Sequence, residues 1–404
     1  MTTGILSGLS IVEGSAYVAI PLGGMTLAQL GADVIRFDPI GGGLDAGRWP
    51  LDAKGASLFW QGLNKGKRSI AVDLKSPEGR AIVTQLICRP GPDAGIFLTN
   101  LPDAGWLTHE RLSADRPDLI TVTLSGNRDG SSAIDYTINP ATGYPLATGP
   151  ADDDRPVNHI LPAWDIAAGL HAAVGLLAAE RRRSRTGKGG HVRLALSDVA
   201  FAVTGALGRL AQGELGLDDG TRAGNDLYGA YGHDFVTADG RRVMVVALTP
   251  RQWRALRDAT GSGAALDEAA ARVGANLDSE GGRWGSRDVI TACLEPWFAT
   301  RRLDEIAAAF AATGVSWGPY RTFRQAATGD PRVAEPGLFA TVTHPGGSAY
   351  RTPASPIEFE GIARLPPLPA PALGQHTDEI LADALGLPDH EIGRLHDAGI
   401  VAGR

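Results

Sequence analysis

The sequence predicts an α/β fold with a largely parallel sheet, and three observations carry that prediction. Short apolar runs rich in Val and Ile alternate with longer helical patterns through about the first 200 residues. Glycine is abundant, at 53 of 404 residues, and aromatic residues make up only 6%, which fits tight turns between closely packed elements. The length argues for two domains, because single cores stop growing beyond about 250–300 residues.

Residues 11–13 read as the end of a first strand, followed by a turn and a helix over 22–30. Residues 34–37 and 70–74 supply the second and third strands. Ser76-Pro77-Glu78 opens a helix, since Ser caps and Pro is tolerated at the first helical position. Residues 96–99 and 119–124 are two further strands. A long apolar helix spans 166–183 and ends in Arg181, Arg182 and Arg183, with Gly187 beyond. Cations there complement the helix dipole, and glycine suits the terminating turn. A strand over 191–196 and a helix from Val199 follow. This alternation puts helices on both faces of a parallel sheet.

The middle of the chain differs. Residues 235–237 and 242–247 read as a hairpin across Asp239-Gly240. Thr249-Pro250 opens a helix through Trp253 and Leu256, and helices over 289–299 and 303–312 follow. A second hairpin turn falls at 345–347, and the Pro-rich stretch 366–371 is extended. Two short helices, capped by Thr377 and Asp389, close the chain. The resulting division is a large domain over 1–205 and 340–404, a small α+β domain over 225–330, and linkers at 206–224 and 331–339.

The net charge of −7 argues against a nucleic-acid partner, which needs a basic surface. A local basic cluster for a small anion remains compatible with it. Cys88 and Cys293 have no metal-ligand spacing, so neither a disulfide framework nor a metal site is expected. The N-terminus lacks a basic n-region, and no run reaches the ~20 apolar residues of a membrane span. The expectation is a soluble cytoplasmic protein.

Four features bear on chemistry. The turn Glu13-Gly14-Ser15-Ala16-Tyr17 follows the first strand, where open α/β sheets bind ligands. Its glycine spacing is not the G-x-G-x-x-G of dinucleotide sites. Arg36, near the end of the second strand, suits a phosphate, where a dinucleotide enzyme would carry an acid. Asn64-Lys65-Gly66-Lys67-Arg68 is either the lining of an anionic groove or a solvated loop. Asp165 stands where a loop meets the long helix, and two readings are open. It is a helix cap worth ~1 kcal/mol, or a nucleophile with helix-start N–H groups on hand to stabilise an oxyanion. Beside Trp164 its pKa could rise by ~2 and still leave it ionised at pH 7. There is no G-x-S-x-G elbow.

Four stretches together resemble the family III CoA-transferases: VEGSAYVAIPLGGMTLAQLGADVIRFDP from Val12, GLNKGKRSIAVDLKSPEG from Gly62, WDIAAGLHAAVGLLAAERRRSRTGKGG from Trp164 and LGQHTDEILADALGL from Leu373. The likeness covers nearly the whole chain in order. It implies an interlaced homodimer, each chain having a Rossmann-like large domain from both chain ends and a smaller inserted domain. It implies an acyl-CoA substrate, with coenzyme A entering as part of it and no tightly bound cofactor. Asp165 falls on the family nucleophile. CoA contacts fall on Tyr17, Val18, Ala19, Arg36, Val72, Asn100 and Leu101. The family has an aromatic where Leu101 stands, and the segment 102–107 is shortened.

One branch of the family racemises 2-methylacyl-CoA with a histidine just before an aspartate. Here that place reads Ala133-Ile134-Asp135-Tyr136, without the histidine. The resemblance is closer to a branch that moves CoA between the C1 and C4 carboxyls of one C5 dicarboxylate, 2-methylfumarate, in carbon dioxide fixation. That chemistry needs a cation for the free carboxylate, and Arg48, Arg128 and His159 are the candidates. An intermolecular CoA-transferase, a racemase and a non-catalytic CoA-binding protein stand as the alternatives.

Overall fold

The computed structural model describes residues 4–102, 105–217, 220 and 222–403. The chain divides into two compact units. The first comprises 1–142, 160–210 and 331–404; the second comprises 143–159 and 211–330.

Strands β1 (Ser10–Gly14), β2 (Asp33–Pro39), β3 (Arg68–Val72), β4 (Ile96–Thr99), β5 (Ile120–Ser125) and β6 (Gly190–Ala195) lie in the first unit. Strands β7 (Tyr231–Val236), β8 (Arg242–Ala247) and β9 (Ser316–Pro319) lie in the second. The first unit resumes with β10 (Phe339–Thr343), β11 (Ala349–Pro353) and β12 (Val401–Ala402).

The large sheet runs β12-β3-β2-β1-β4-β5-β6. All neighbours are parallel except β12, which pairs antiparallel with β3 through Val401 and Val72. The order 3-2-1-4-5-6 is that of a doubly wound fold, and it reverses between β1 and β4. Ligands in such sheets bind outside the carboxyl ends at that reversal.

Alternate residues of each strand enter opposite cores, so both faces are covered. Val12, Ile35, Ile70 and Phe97 pack with Ile82, Val83 and Leu86 of the helix Pro77–Cys88, and with Ile380 and Leu395 of the two C-terminal helices. Ile11, Val34, Leu98 and Val122 pack with Ile20 and Leu27 of the helix Ala19–Gln29, and with Ala172 and Leu176 of the helix Ala163–Thr186. In the second unit β7, β8 and β9 form an antiparallel sheet around Tyr231, Phe235, Val245, Trp253 and Phe298.

Several element boundaries differ from expectation for physical reasons. The first helix starts at Ala19 rather than residue 22, with Pro21 inside its first turn. Proline costs little there, because first-turn N–H groups have no intrahelical acceptor anyway. Thr377 and Asp389 are the first helical residues, not the caps; His376 and Pro388 precede them. The Thr377 hydroxyl instead donates to the Ala402 carbonyl and accepts from the Ala71 amide, which ties β12 to the sheet. The sequence reading missed the helix Gly263–Val273, β9 and β12.

Candidate active site

The site is built on the start of the helix Ala163–Thr186. Asp165 is its third residue, and Pro162 is the residue before the helix. The cap reading of Asp165 is therefore corrected. Asp135, the first residue of the short helix Asp135–Ile138, does the capping from another part of the chain. Its Oδ2 accepts the Trp164 amide at 2.7 Å and the Asp165 amide at 3.2 Å. A carboxylate at a helix N-terminus is favoured by both charge-assisted hydrogen bonds and the dipole. The Ala163 amide goes to the Leu161 carbonyl and the Ile166 amide to the Pro162 carbonyl. The first helical N–H groups are thus already engaged, which overturns the expectation that they form an oxyanion site. Trp164 is buried, and its indole N–H donates to Asn139 Oδ1 at 3.0 Å, pinning the same turn.

Asp165 itself is half-buried, and its carboxylate accepts no hydrogen bond among the described residues. Burial first, and the Asp135 carboxylate second, push its pKa up to about 6. The ionised form is therefore about 3 kcal/mol less stable here than in water. It still predominates at pH 7. A partly desolvated carboxylate with no hydrogen-bond partner is more reactive as a nucleophile than one in water.

Glycines bring the turn after β1 to this helix start. A Cβ on Gly169 would lie 2.3 Å from the Ala19 carbonyl oxygen, and one on Gly23 would lie 2.8 Å from the Gly169 carbonyl oxygen. Only glycine permits that backbone approach. Gly169 is one helical turn beyond Asp165, and Ala19 begins its own helix. The crossing therefore sets the Tyr17-Val18-Ala19 turn beside the first turn of the helix that carries Asp165.

Asn100, just past β4, locks that turn across the strand-order reversal. Its Oδ1 accepts the Ala16 amide and its Nδ2 donates to the Ala16 carbonyl, both at 2.9 Å. Leu101 is half-buried against the core beneath Gly14. Val72 is buried between β2 and β12, so only its backbone faces the carboxyl edge of the sheet. Tyr17 is exposed, and its φ of 68° makes it the one non-glycine residue with positive φ among those described.

Arg36 has a different setting from the one its sequence position suggested. It is 1% exposed and bonds Asp38, Asp45, Asn64 and the Ser15 carbonyl. Burial opposes its charge, but the surrounding carboxylates more than restore it, raising its pKa. Its guanidinium holds the turn after β1 from below and does not stand open to a phosphate. The basic cluster is likewise neither a groove lining nor a solvated loop. Lys67 is fully buried against Glu13 at 2.7 Å, and burial lowers its pKa to about 8. Arg68 pairs with Asp33 and Glu379.

The three candidate carboxylate binders separate. Arg48 is exposed and stacks over the Tyr17 and Phe59 rings at 5.6 and 5.1 Å, with no carboxylate partner among the described residues. Arg128 stands 84% exposed in an ion pair with Asp198. His159 belongs to the second unit. Asp103 and Ala104 of the shortened segment lie outside the described residues. Among the described residues, no group of three His, Cys, Asp or Glu side chains could hold a metal, and no helix is long and apolar enough to cross a membrane. Sequence reasoning missed Asp135 and Asp45 as parts of the site. The only local sign of Asp135 was its place after the absent histidine.

The model of CoA-transferase family III matches residues 6–377. A protein named 2-methylfumaryl-CoA isomerase from Chloroflexus aurantiacus is 56% identical, over 99% of this chain and 98% of its own length. A succinate–glutarate CoA-transferase of Agrobacterium fabrum is 29% identical over 94% of this chain and 95% of its own. The crystal structure of a CAIB/BAIF family protein from Brucella suis superposes with a TM-score of 0.76 at 27% identity, over 95% of this chain and all of that one. On a match that runs through the turn after β1, the helix that carries Asp165 and the closing helices alike, the chain belongs to the family III CoA-transferases.

Proposed function

We propose that the protein is an intramolecular CoA transferase, converting 2-methylfumaryl-CoA (mesaconyl-CoA) to 3-methylfumaryl-CoA. The observation that carries the reading is the 56% identity, over nearly both chains, to a relative bearing the isomerase name. Asp165 attacks the C1 thioester carbonyl; the C–S bond breaks, giving a mixed anhydride and CoA thiolate. The thiolate attacks the aspartyl carbonyl, giving an aspartyl-CoA thioester and free dicarboxylate. The C4 carboxylate then attacks that thioester, re-forming a mixed anhydride and releasing CoA thiolate; the thiolate attacks the C4 carbonyl, giving 3-methylfumaryl-CoA and returning Asp165 as a carboxylate.

Nucleophilic catalysis of this kind splits one difficult transfer into easier ones. Each acylation removes the charge of Asp165, so it relieves both the burial and the repulsion from Asp135 that raise its pKa. That relief favours the covalent intermediate over the resting carboxylate. Keeping the dicarboxylate in a water-poor site makes the second attack effectively unimolecular and protects the anhydride.

Coenzyme A lies along the turn Tyr17-Val18-Ala19, the carboxyl end of β3 at Val72, and Asn100-Leu101, with Arg36 supporting the turn from beneath. Arg48 takes the distal carboxylate, since it is exposed and unpaired, ahead of Arg128, which is engaged by Asp198, and of His159. The working form is an interlaced homodimer in the cytoplasm, serving the 3-hydroxypropionate cycle of carbon dioxide fixation.

Purified protein incubated with mesaconyl-CoA alone should yield the C4 isomer. Isomer formation only after a second acid is added would favour an intermolecular transferase instead. Hydroxylamine trapping followed by mass spectrometry should place a hydroxamate on Asp165. Trapping at another residue would remove Asp165 from the mechanism.

A further inference from the structure

The loop between β2 and the helix Leu58–Leu63 carries a buried acid that the mechanism does not use. Asp45 is 1% exposed and divides its carboxylate between two jobs. Oδ1 pairs with Arg36 at 2.9 Å, and Oδ2 accepts the Tyr17 amide at 3.0 Å. Tyr17 is the residue held at φ 68°, in the left-handed region that side chains with a Cβ rarely adopt. Strained residues of this kind persist only where their surroundings over-determine them.

The surroundings here do so from three sides. Arg36 donates to the Ser15 carbonyl at 3.1 Å, Asn100 grips both polar groups of Ala16, and Asp45 holds Tyr17. Asp45 also accepts the Arg48 amide on its own carbonyl, which sets Arg48 over the Tyr17 ring. One acid thus orients the backbone of Tyr17 and the cation stacked on its side chain.

We infer that Asp45 is a positioning residue for acyl-CoA binding. It keeps the turn after β1 in the strained shape that presents Tyr17, Val18 and Ala19 to coenzyme A. The inference rests on the CoA-transferase reading above. Arg36 neutralises the acid so that it can be buried, and Tyr17 supplies the amide that gives its second oxygen a partner.

The test compares wild type with Asp45→Asn and Asp45→Glu by calorimetric titration with free CoA and by steady-state turnover of mesaconyl-CoA. Asn keeps an acceptor for only one of the two donors, Arg36 and the Tyr17 amide, and sets its NH2 against the other, while Glu keeps the charge for Arg36 and moves the acceptor. Both should weaken CoA binding and raise KM by about tenfold, with kcat within about twofold of wild type. In a Tyr17→Gly background the penalty of Asp45→Asn should shrink, because glycine adopts this φ without help. Should Asp45→Asn not fold, Asp45→Glu decides the matter alone. Folded variants with unchanged CoA affinity and KM, a fall in kcat at constant KM, or an equal penalty in the glycine background would each overturn the inference. Wild-type protein that binds no CoA would overturn the transferase reading with it.

Discussion

Asp165→Asn should abolish turnover and at the same time make the protein more stable at neutral pH. The reasoning starts from the pKa of about 6, raised by burial and by Asp135. A carboxyl group whose folded pKa lies above its unfolded one binds protons more tightly in the folded state. Its full folding stability is present below the unfolded value near 3.8 and is lost as pH rises through about 6. At pH 7.5 the penalty is complete, about 3 kcal/mol; at pH 5 only about half of it has developed. An amide carries no such penalty, so the variant should gain up to about 3 kcal/mol at pH 7.5 and about half as much at pH 5. Scanning calorimetry of both proteins at the two pH values reads the difference. The pH dependence is the diagnostic, because an Asn amide could also donate to the unpartnered Asp135 Oδ1 and add a constant gain. A variant no more stable than wild type at pH 7.5, or a gain that does not shrink at pH 5, would refute the claim that the nucleophile is held in a destabilised ionised state.

Three further outcomes are expected. Asp135→Asn should lower the acid limb of the kcat/KM profile from about 6 by less than about one pH unit, since burial is the larger cause and remains; an unmoved limb would remove Asp135 from the electrostatics of the site. Gly169→Ala drives a Cβ to 2.3 Å from the Ala19 carbonyl, so it should cost about 1–3 kcal/mol by chemical denaturation and raise KM for the acyl-CoA as the turn is displaced. Arg48→Leu should raise KM for mesaconyl-CoA while leaving the affinity for free CoA within about threefold, whereas Arg128→Leu, breaking only an exposed pair, should change neither; the reverse ranking would assign the distal carboxylate to Arg128.

The parts that were legible in the sequence are those governed by local pattern. β4 and the long helix could be read because apolar runs and their terminating residues lie within one segment. β12 could not, since two residues carry no periodicity and its place depends on Thr377 reaching back to Ala71 and Ala402. Asp165 was legible as an acid at a helix start, but its cap was not. Asp135 is 30 positions away and meets the helix through main-chain amides, which every residue carries and no sequence pattern advertises.

The same blindness explains Arg36. A cation near a strand end suggests an anionic ligand so long as its partners are unknown. The β1–β2 register sets Glu13 directly beside it, Asp38 stands two residues along the same strand, and the chain returns with Asp45 and Asn64 to close the remaining directions. Only Asp38 is a near neighbour in sequence; Glu13 and Asn64 come from other elements, so no short window of sequence contains the network. Once Arg36 and Lys67 are buried among carboxylates, their charges are already balanced and add little attraction for a ligand. They act on the ligand through geometry, by fixing the backbone of the turn above them. The charge that an anionic substrate meets directly must then come from a cation with no such partners. Of the candidates singled out from sequence, Arg48 alone is both exposed and unpaired while stacked on Tyr17, so under the proposed function the strap of chain that holds the Tyr17 turn also supplies the cation for the distal carboxylate.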